Sequence, residues 1–181
     1  MLFNDCVLDI ETSDTDPARG HILQIAAIKF SAQTGEISTE TFDRCLLPLP
    51  NRRWDEGTRN WWMKRKDVLQ SLLDRMEEPK KVLEDLRDWA GHDNMSMWGK
   101  PTHFDHSFLA SFYRDLGMQI PFNFRRANDM NSFIRGAYWP EEPPAWEKII
   151  EFKGAEHNAI DDCWHQLRVI FKALKKEKPP L

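Results

Sequence analysis

Asp9 and Glu11 stand two residues apart in Cys6-Val7-Leu8-Asp9-Ile10-Glu11-Thr12, a run whose apolar members read as a buried strand. Strand side chains alternate, so both acids leave one face while Leu8 and Ile10 leave the other. Side by side, two like charges repel and resist desolvation, and such a pair needs water or a cation to survive. An exposed edge strand with an acidic rim and a cation-binding strand end both fit this run taken alone. Further acids bear on the choice. Asp105 starts a helix after the apolar stretch 95–99, where a carboxylate also suits the positive end of the helix dipole. His157, Asp161 and Asp162 stand at the start of the last helix, where a His can be a cap and an Asp pair an ordinary first turn.

The elements that must position these residues follow from periodicity. After the first strand, 14–20 is dense in turn formers and reads as a loop. Alternation predicts a second strand over 22–30, with Ile22, Ala26, Ile28 and Phe30 on one face, and a third over 37–47. Short connections make these an antiparallel meander. Helices then take over: one capped by Asp55 through Trp61 and Trp62, one capped by Asp67, and one opened by Pro79 with Val82, Leu86 and Trp89 at helical spacing. A short strand over 95–99 precedes a helix carrying Phe104, Phe108, Leu109 and Phe112 that stops at Gly117. A further short strand is expected over 121–126, a helix over 129–138, a rigid loop over 140–144 and a final helix over 158–175. Residues 1–175 make a single domain, and 176–181 read as a disordered tail. The result is an α/β layer fold with a mixed five-stranded sheet, the antiparallel meander first. That start excludes a doubly wound dinucleotide fold, and there is neither a GxGxxG after a strand nor a P-loop.

At 181 residues and net charge −4, the chain does not have the charge of a protein that coats nucleic acid, although acids gathered at a metal site would mask a basic surface. Arg52, Arg53, Arg59, Lys64, Arg65 and Lys66 cluster, and a solvated surface is the ordinary reading. Cys6, Cys45 and Cys163 lack metal-like spacing and read as reduced thiols of a cytoplasmic protein. No run is apolar enough for a membrane span.

In order and context, Asp9-Ile10-Glu11-Thr12, Phe104-Asp105 after Trp98-Gly99, and His157-Asn158-Ala159-Ile160-Asp161-Asp162 resemble the three signatures of the DEDDh 3′–5′ exonucleases, a branch of the ribonuclease H-like superfamily. Asn60-Trp61-Trp62-Met63-Lys64, the block from Trp98 to Asp105 and Asn128-Asp129 look like the small phage- and prophage-associated exonucleases and the mycobacterial-type 3′–5′ exoribonuclease domain. One departure stands out: Gly99-Lys100 replaces the family's usual Gly-Asn, and Pro101 is added.

The resemblance implies a ribonuclease H-like fold and a metal-dependent 3′–5′ exonuclease. It would act on single-stranded 3′ ends of DNA or RNA and release nucleoside 5′-monophosphates. It also implies metal ligands Asp9, Glu11, Asp105 and Asp162, with His157 as the base. The His branch keeps four residues between His and Asp, which selects Asp162. A helical wheel agrees, placing Asp161 amid His165, Arg168 and Lys172 on a solvated arc and Asp162 at its edge. An all-carboxylate set favours Mg²⁺ or Mn²⁺, and two such ions about 3.5–4 Å apart can clamp the attacking and leaving oxygens. Ile10 and Thr12 would line the terminal nucleotide. Phe104 and one of Trp61 or Trp62 are candidates for base stacking, the tryptophans serving equally well as a core anchor. Arg59, Lys64 and Arg65 are candidates for phosphates. The phage-like resemblance leans to DNA, and the tryptophan surplus could supply a homodimer interface. Rival readings are an internally cutting nuclease and a nucleic-acid-binding module with a decayed site.

Overall fold

β1 (Asp5–Thr12), β2 (Ile22–Phe30) and β3 (Ile37–Leu46) form the expected antiparallel meander. The computed structural model describes residues 3–91 and 94–174. β4 (Met76–Glu77) pairs parallel with β3, β5 (Ser96–Gly99) parallel with β1, and β6 (Ala127–Asp129) parallel with β5, giving the order β4-β3-β2-β1-β5-β6.

β1 is therefore interior, not an edge, and both its faces are covered. Leu8 and Ile10 pack beneath α3 (Pro79–Ala90) and α4 (Thr102–Asp115) with Leu83, Leu86, Phe108 and Leu109. Val7 faces α7 (Ala159–Ala173), where Cys163, Leu167 and Ile170 close over it. Period-two alternation then sends Asp9 and Glu11 to the α7 side.

Among the described residues the sheet has six strands where the alternation predicts five. β4 is two residues long and too short to show a period. The strand expected over 121–126 is absent: Phe124–Arg126 is a 3₁₀ turn and the ladder starts only at Ala127. The Asn123 side chain accepts from Arg125 N at 3.0 Å, and this local bond competes with strand pairing. A register shift between Glu11 and Thr12 in the pairing with β2 turns Ile22 away from Ala26 and Ile28, into the other core.

Asp55 caps α1 (Glu56–Trp62) by accepting from Thr58 N, as predicted. Arg65, not Asp67, occupies the N-cap of α2 (Lys66–Leu73), and Asp67 sits in its first turn. α5 (Met130–Tyr138) starts from its Asp129 cap, and a four-residue helix, α6 (Trp146–Ile149), follows the proline-rich loop. This small helix changes the reading of α7. His165, placed by the wheel on the solvated arc, is buried, because Trp146 and Phe152 lie across it with ring centroids 6.2 and 5.0 Å away. The tail 176–181 lies outside the described residues. Among the described residues no helix is long and apolar enough to cross a membrane, and the three cysteines are buried free thiols.

Arg52 departs from the solvated reading of its cluster. Its side chain is 0% exposed and donates to Asp115, Ser111 Oγ and the carbonyls of Pro17 and Gly20, while lying 3.9 Å over the Phe112 ring. One guanidinium thus fastens the loop after β1 and the segment entering α1 onto α4. Arg52→Met removes the charge and leaves its acceptors unpaired; unfolding in urea should show a loss of about 3 kcal/mol.

Candidate metal and nucleotide site

The carboxyl end of β1 carries Asp9 and Glu11. Its carbonyl at Thr12 accepts the indole N–H of Trp62 at 2.9 Å, and Asp55 N donates to the Ser13 carbonyl at 3.0 Å, so α1 is fixed against the strand end. Behind it, Gln24 on β2 is fully buried and holds the start of α7. Its Oε1 accepts from Ala159 N at 2.9 Å, and its Nε2 donates to Asn158 Oδ1 at 3.1 Å and to Asp43 Oδ1 at 2.7 Å. A buried amide with three partners leaves little freedom to the turn above it.

That turn delivers His157 and Asp162. His157 adopts φ +64°, a left-handed conformation uncommon for a side-chain-bearing residue, and its N–H donates to Asp162 Oδ2 at 3.0 Å. Asp161 points elsewhere: its Oδ2 accepts from Ala155 N at 2.9 Å, stapling the loop that carries His157. The neighbouring acids thus have different partners. Asp161, though, is half-buried and holds backbone in place.

Carboxylate oxygens of Asp9, Glu11 and Asp162 all lie within 4.8 Å of one another. Asp105 stands outside this trio, in the first turn of α4. It is 3% exposed, and its Oδ2 has no hydrogen-bond partner among the described residues. A Cβ at Gly99 would come within 2.8 Å of that oxygen, so only glycine leaves it room. Burial, first of all, pushes Asp9, Glu11 and Asp105 well above the usual carboxylate range. Repulsion adds to it, from Asp162 on Asp9 and from Asp9 on both Glu11 and Asp105. Asp162 is raised to about 6, again chiefly by burial.

Three acids gathered this way, with an orphaned buried oxygen on Asp105 nearby in the fold, could hold a cation. The donors are all oxygen, which suits hard divalent ions, so the residues present fit the metal the sequence implies.

Gln166 escapes the sequence pattern. It sits one turn beyond Asp162, is buried, and donates Nε2 to Asp9 Oδ1 at 2.7 Å. The available signal is a lone amide on an otherwise apolar stripe.

Beside the acids opens a cleft of about 440 Å³ lined by Ile10, Glu11, Thr12, Trp61, Trp62 and Phe104, among others. Of the residues named as candidates for the nucleotide, Ile10, Thr12, Phe104, Trp61 and Trp62 line it. The two tryptophans differ: Trp62 is 1% exposed and anchored, while Trp61 is partly exposed and its ring stands nearly perpendicular to that of His157, centroids 4.6 Å apart. Arg59 and Lys64 are exposed and do not line the cleft. Of the basic candidates, Arg65 reaches the site. It lies 3.8 Å over the Trp61 ring, and its charge acts on both Glu11 and His157. The His157 imidazole is shifted below its ordinary value by burial and then by Arg65, against Glu156.

The family described as the 3′-5′ exoribonuclease Rv2179c-like domain matches residues 4–174. No curated protein matches the chain. Among solved structures, cell-death related nuclease 4 (CRN-4) is similar at 17% identity and TM-score 0.70, covering 94% of this chain and 63% of that one. The nuclease domain of 3′hExo, a DEDDh family member bound to rAMP, is similar at 16% identity and TM-score 0.69, covering 97% and 94%. E. coli Exonuclease I in complex with a dT13 oligonucleotide is similar at 18% identity and TM-score 0.73, covering 97% of this chain and 41% of that one. The chain thus spans less than two thirds of CRN-4 and about two fifths of Exonuclease I. At these identities the likeness establishes the fold, the ribonuclease H-like sheet of the DEDDh exonucleases.

Two outcomes follow for metal binding, read by Mn²⁺ electron paramagnetic resonance. Asp162→Asn should abolish high-affinity binding, whereas Asp161→Asn should retain it. Gln166→Leu, which leaves Asp9 without its amide donor, should weaken Mn²⁺ binding by roughly 10–100-fold with the far-ultraviolet dichroism unchanged.

Proposed function

We propose that this chain, which belongs to the Rv2179c-like 3′-5′ exoribonuclease domain family, hydrolyses the last phosphodiester of a single-stranded 3′ end and releases nucleoside 5′-monophosphates. The observation that carries this reading is the convergence of Asp9, Glu11 and Asp162, with Asp105 alongside, at the edge of an aromatic cleft. Two Mg²⁺ or Mn²⁺ ions held by these four acids would supply an acidified water and neutralise charge on the leaving oxygen.

The remaining roles belong to the protein's own side chains. His157 takes the proton of the attacking water at an imidazole nitrogen. Burial and the Arg65 charge both favour its neutral form, the form that can accept a proton. Trp61 and the bond from His157 N to Asp162 fix where that ring stands. Phe104 and Trp61 offer apolar faces to the terminal bases, a contact that does not depend on sequence and is worth about 1–3 kcal/mol per base. Arg65 balances phosphate charge on the Glu11 side. The cleft has the size a single small ligand fills, which suits one terminal nucleotide and not a duplex. We take the strand to be RNA, because the family's description is that of an exoribonuclease domain; DNA is the rival, favoured by the phage-like sequence blocks.

Matched 5′-labelled RNA and DNA oligonucleotides, each with free and blocked 3′ ends, test the proposal. With Mn²⁺, the free RNA should shorten one nucleotide at a time and faster than the DNA, the blocked strands should persist, and a chelator should stop the reaction. Internal fragments from blocked strands would refute an exonuclease. His157→Ala should lower kcat by roughly 10²–10⁴-fold while Mn²⁺ still binds.

A further inference from the structure

A groove of about 750 Å³ lies along α4, apart from the cleft, and has no task in the reaction as proposed. His106, Tyr113 and Arg114 line it from the helix, and Phe122, Asn123 and Phe124 from the segment that follows. His106 Nε2 donates to the Phe122 carbonyl at 3.1 Å, which ties that segment back onto the start of α4. From His106 to Arg114 the groove follows about 12 Å of helix, several times the spacing of about 3.4 Å between stacked bases.

Charge and aromatic exposure say what the groove would take. Among the described residues no acid lines it, in a chain of net charge −4. Asp115, beside Arg114, is turned to Arg52 at 2.8 Å. Phe124 is 67% exposed, held out by the 3₁₀ turn that the Asn123 side chain caps. The Arg125 guanidinium lies 5.2 Å from its ring centroid. Arg125 and Arg126 are exposed, and among the described residues neither forms an ion pair. An exposed ring next to uncommitted cations gives a base a face to stack on and a phosphate a counter-charge, the combination that binds single-stranded nucleic acid.

We propose that this groove binds the nucleotides on the 5′ side of the one in the cleft, with a base on Phe124 and phosphates on Arg125 and Arg126; this rests on the exonuclease reading above. Phe104 lines the cleft and His106 the groove, so only the first turn of α4 separates them. A strand whose last base lies on Phe104 crosses that turn to enter the groove. Stacking faces and phosphate contacts carry no sequence information, which suits a strand that is shortened step by step.

Fluorescence anisotropy of a 5′-labelled ten-nucleotide RNA tests this on wild type, Phe124→Ala and the double variant Arg125→Gln/Arg126→Gln. EDTA in the buffer prevents hydrolysis and leaves the groove to do the binding. Phe124→Ala should weaken binding about 5–100-fold, the loss of one stacked base. The double variant should lower the slope of log K against log salt by about 1.4, the figure for two phosphate contacts on a single strand. All three side chains are exposed, so far-ultraviolet dichroism should match wild type. With Mn²⁺, both variants should raise KM for the ten-nucleotide strand and keep kcat. Affinity and salt slope equal to wild type in both variants would overturn the inference. So would a wild-type dimer in sedimentation that Phe124→Ala dissociates, because the groove would then seat a second copy of the chain. RNA that binds in EDTA but is never shortened with Mn²⁺ would overturn the exonuclease reading instead, so the two failures are separable.

Discussion

Gathering carboxylates of Asp9, Glu11 and Asp162 within 4.8 Å at the end of a central strand sets repulsion and lost hydration against the fold. The raised carboxyl groups express that tension, and the surroundings of the site relieve only part of it. Gln166 gives Asp9 one donor, Asp162 accepts one backbone N–H, and positive charge comes from Lys100 on Asp9 and from Arg65 on Glu11. Among the described residues these donors and charges leave the carboxyl groups raised. A polypeptide keeps such an arrangement when a stronger cation completes it, and the oxygen-only donor set indicates which kind.

The scaffold works against this repulsion by overdetermining the backbone on both sides. β1 is clamped by β2 and β5 and packed on both faces, so its acids cannot move apart by bending the strand. The α7 turn is held by Gln24 from below and by Asp161 from the loop side, and that tolerates the left-handed His157. Trp62 and Arg52 set α1 and α4 against the strand end, which shapes the cleft around Thr12 and Phe104. The same rigid elements hold the imidazole, the acids and the aromatic walls, so the residues that position these groups lie well behind them.

Errors in the local pattern have a common origin. A wheel for the last helix assumes one buried face, but α7 is covered by the sheet on one side and by α6 on another, so His165 is buried. The stretch 121–126 has the composition of a strand, yet the Asn123 cap gives its backbone a cheaper partner than the sheet. Arg52 belongs to a basic run that looks solvated, and four acceptors brought by two separate segments, the loop after β1 and α4, bury it. Each case is a tertiary neighbour overriding a local preference.

By itself the sequence determined the acids and their order: two on one face of a strand, one at a helix start after another strand, and a His with its Asp at the last helix. It also determined the meander and most helices, because alternation, caps and helical spacing are properties of adjacent residues. Only the tertiary structure decided that β1 is central, that Gln166 and Gln24 serve the site, and that Arg65, not Arg59 or Lys64, reaches it. The bonds Gln166–Asp9 and Gln24–Ala159 join residues 157 and 135 positions apart, and no local periodicity encodes contacts at that separation. They exist because packing the two faces of one strand brings the ends of the chain together.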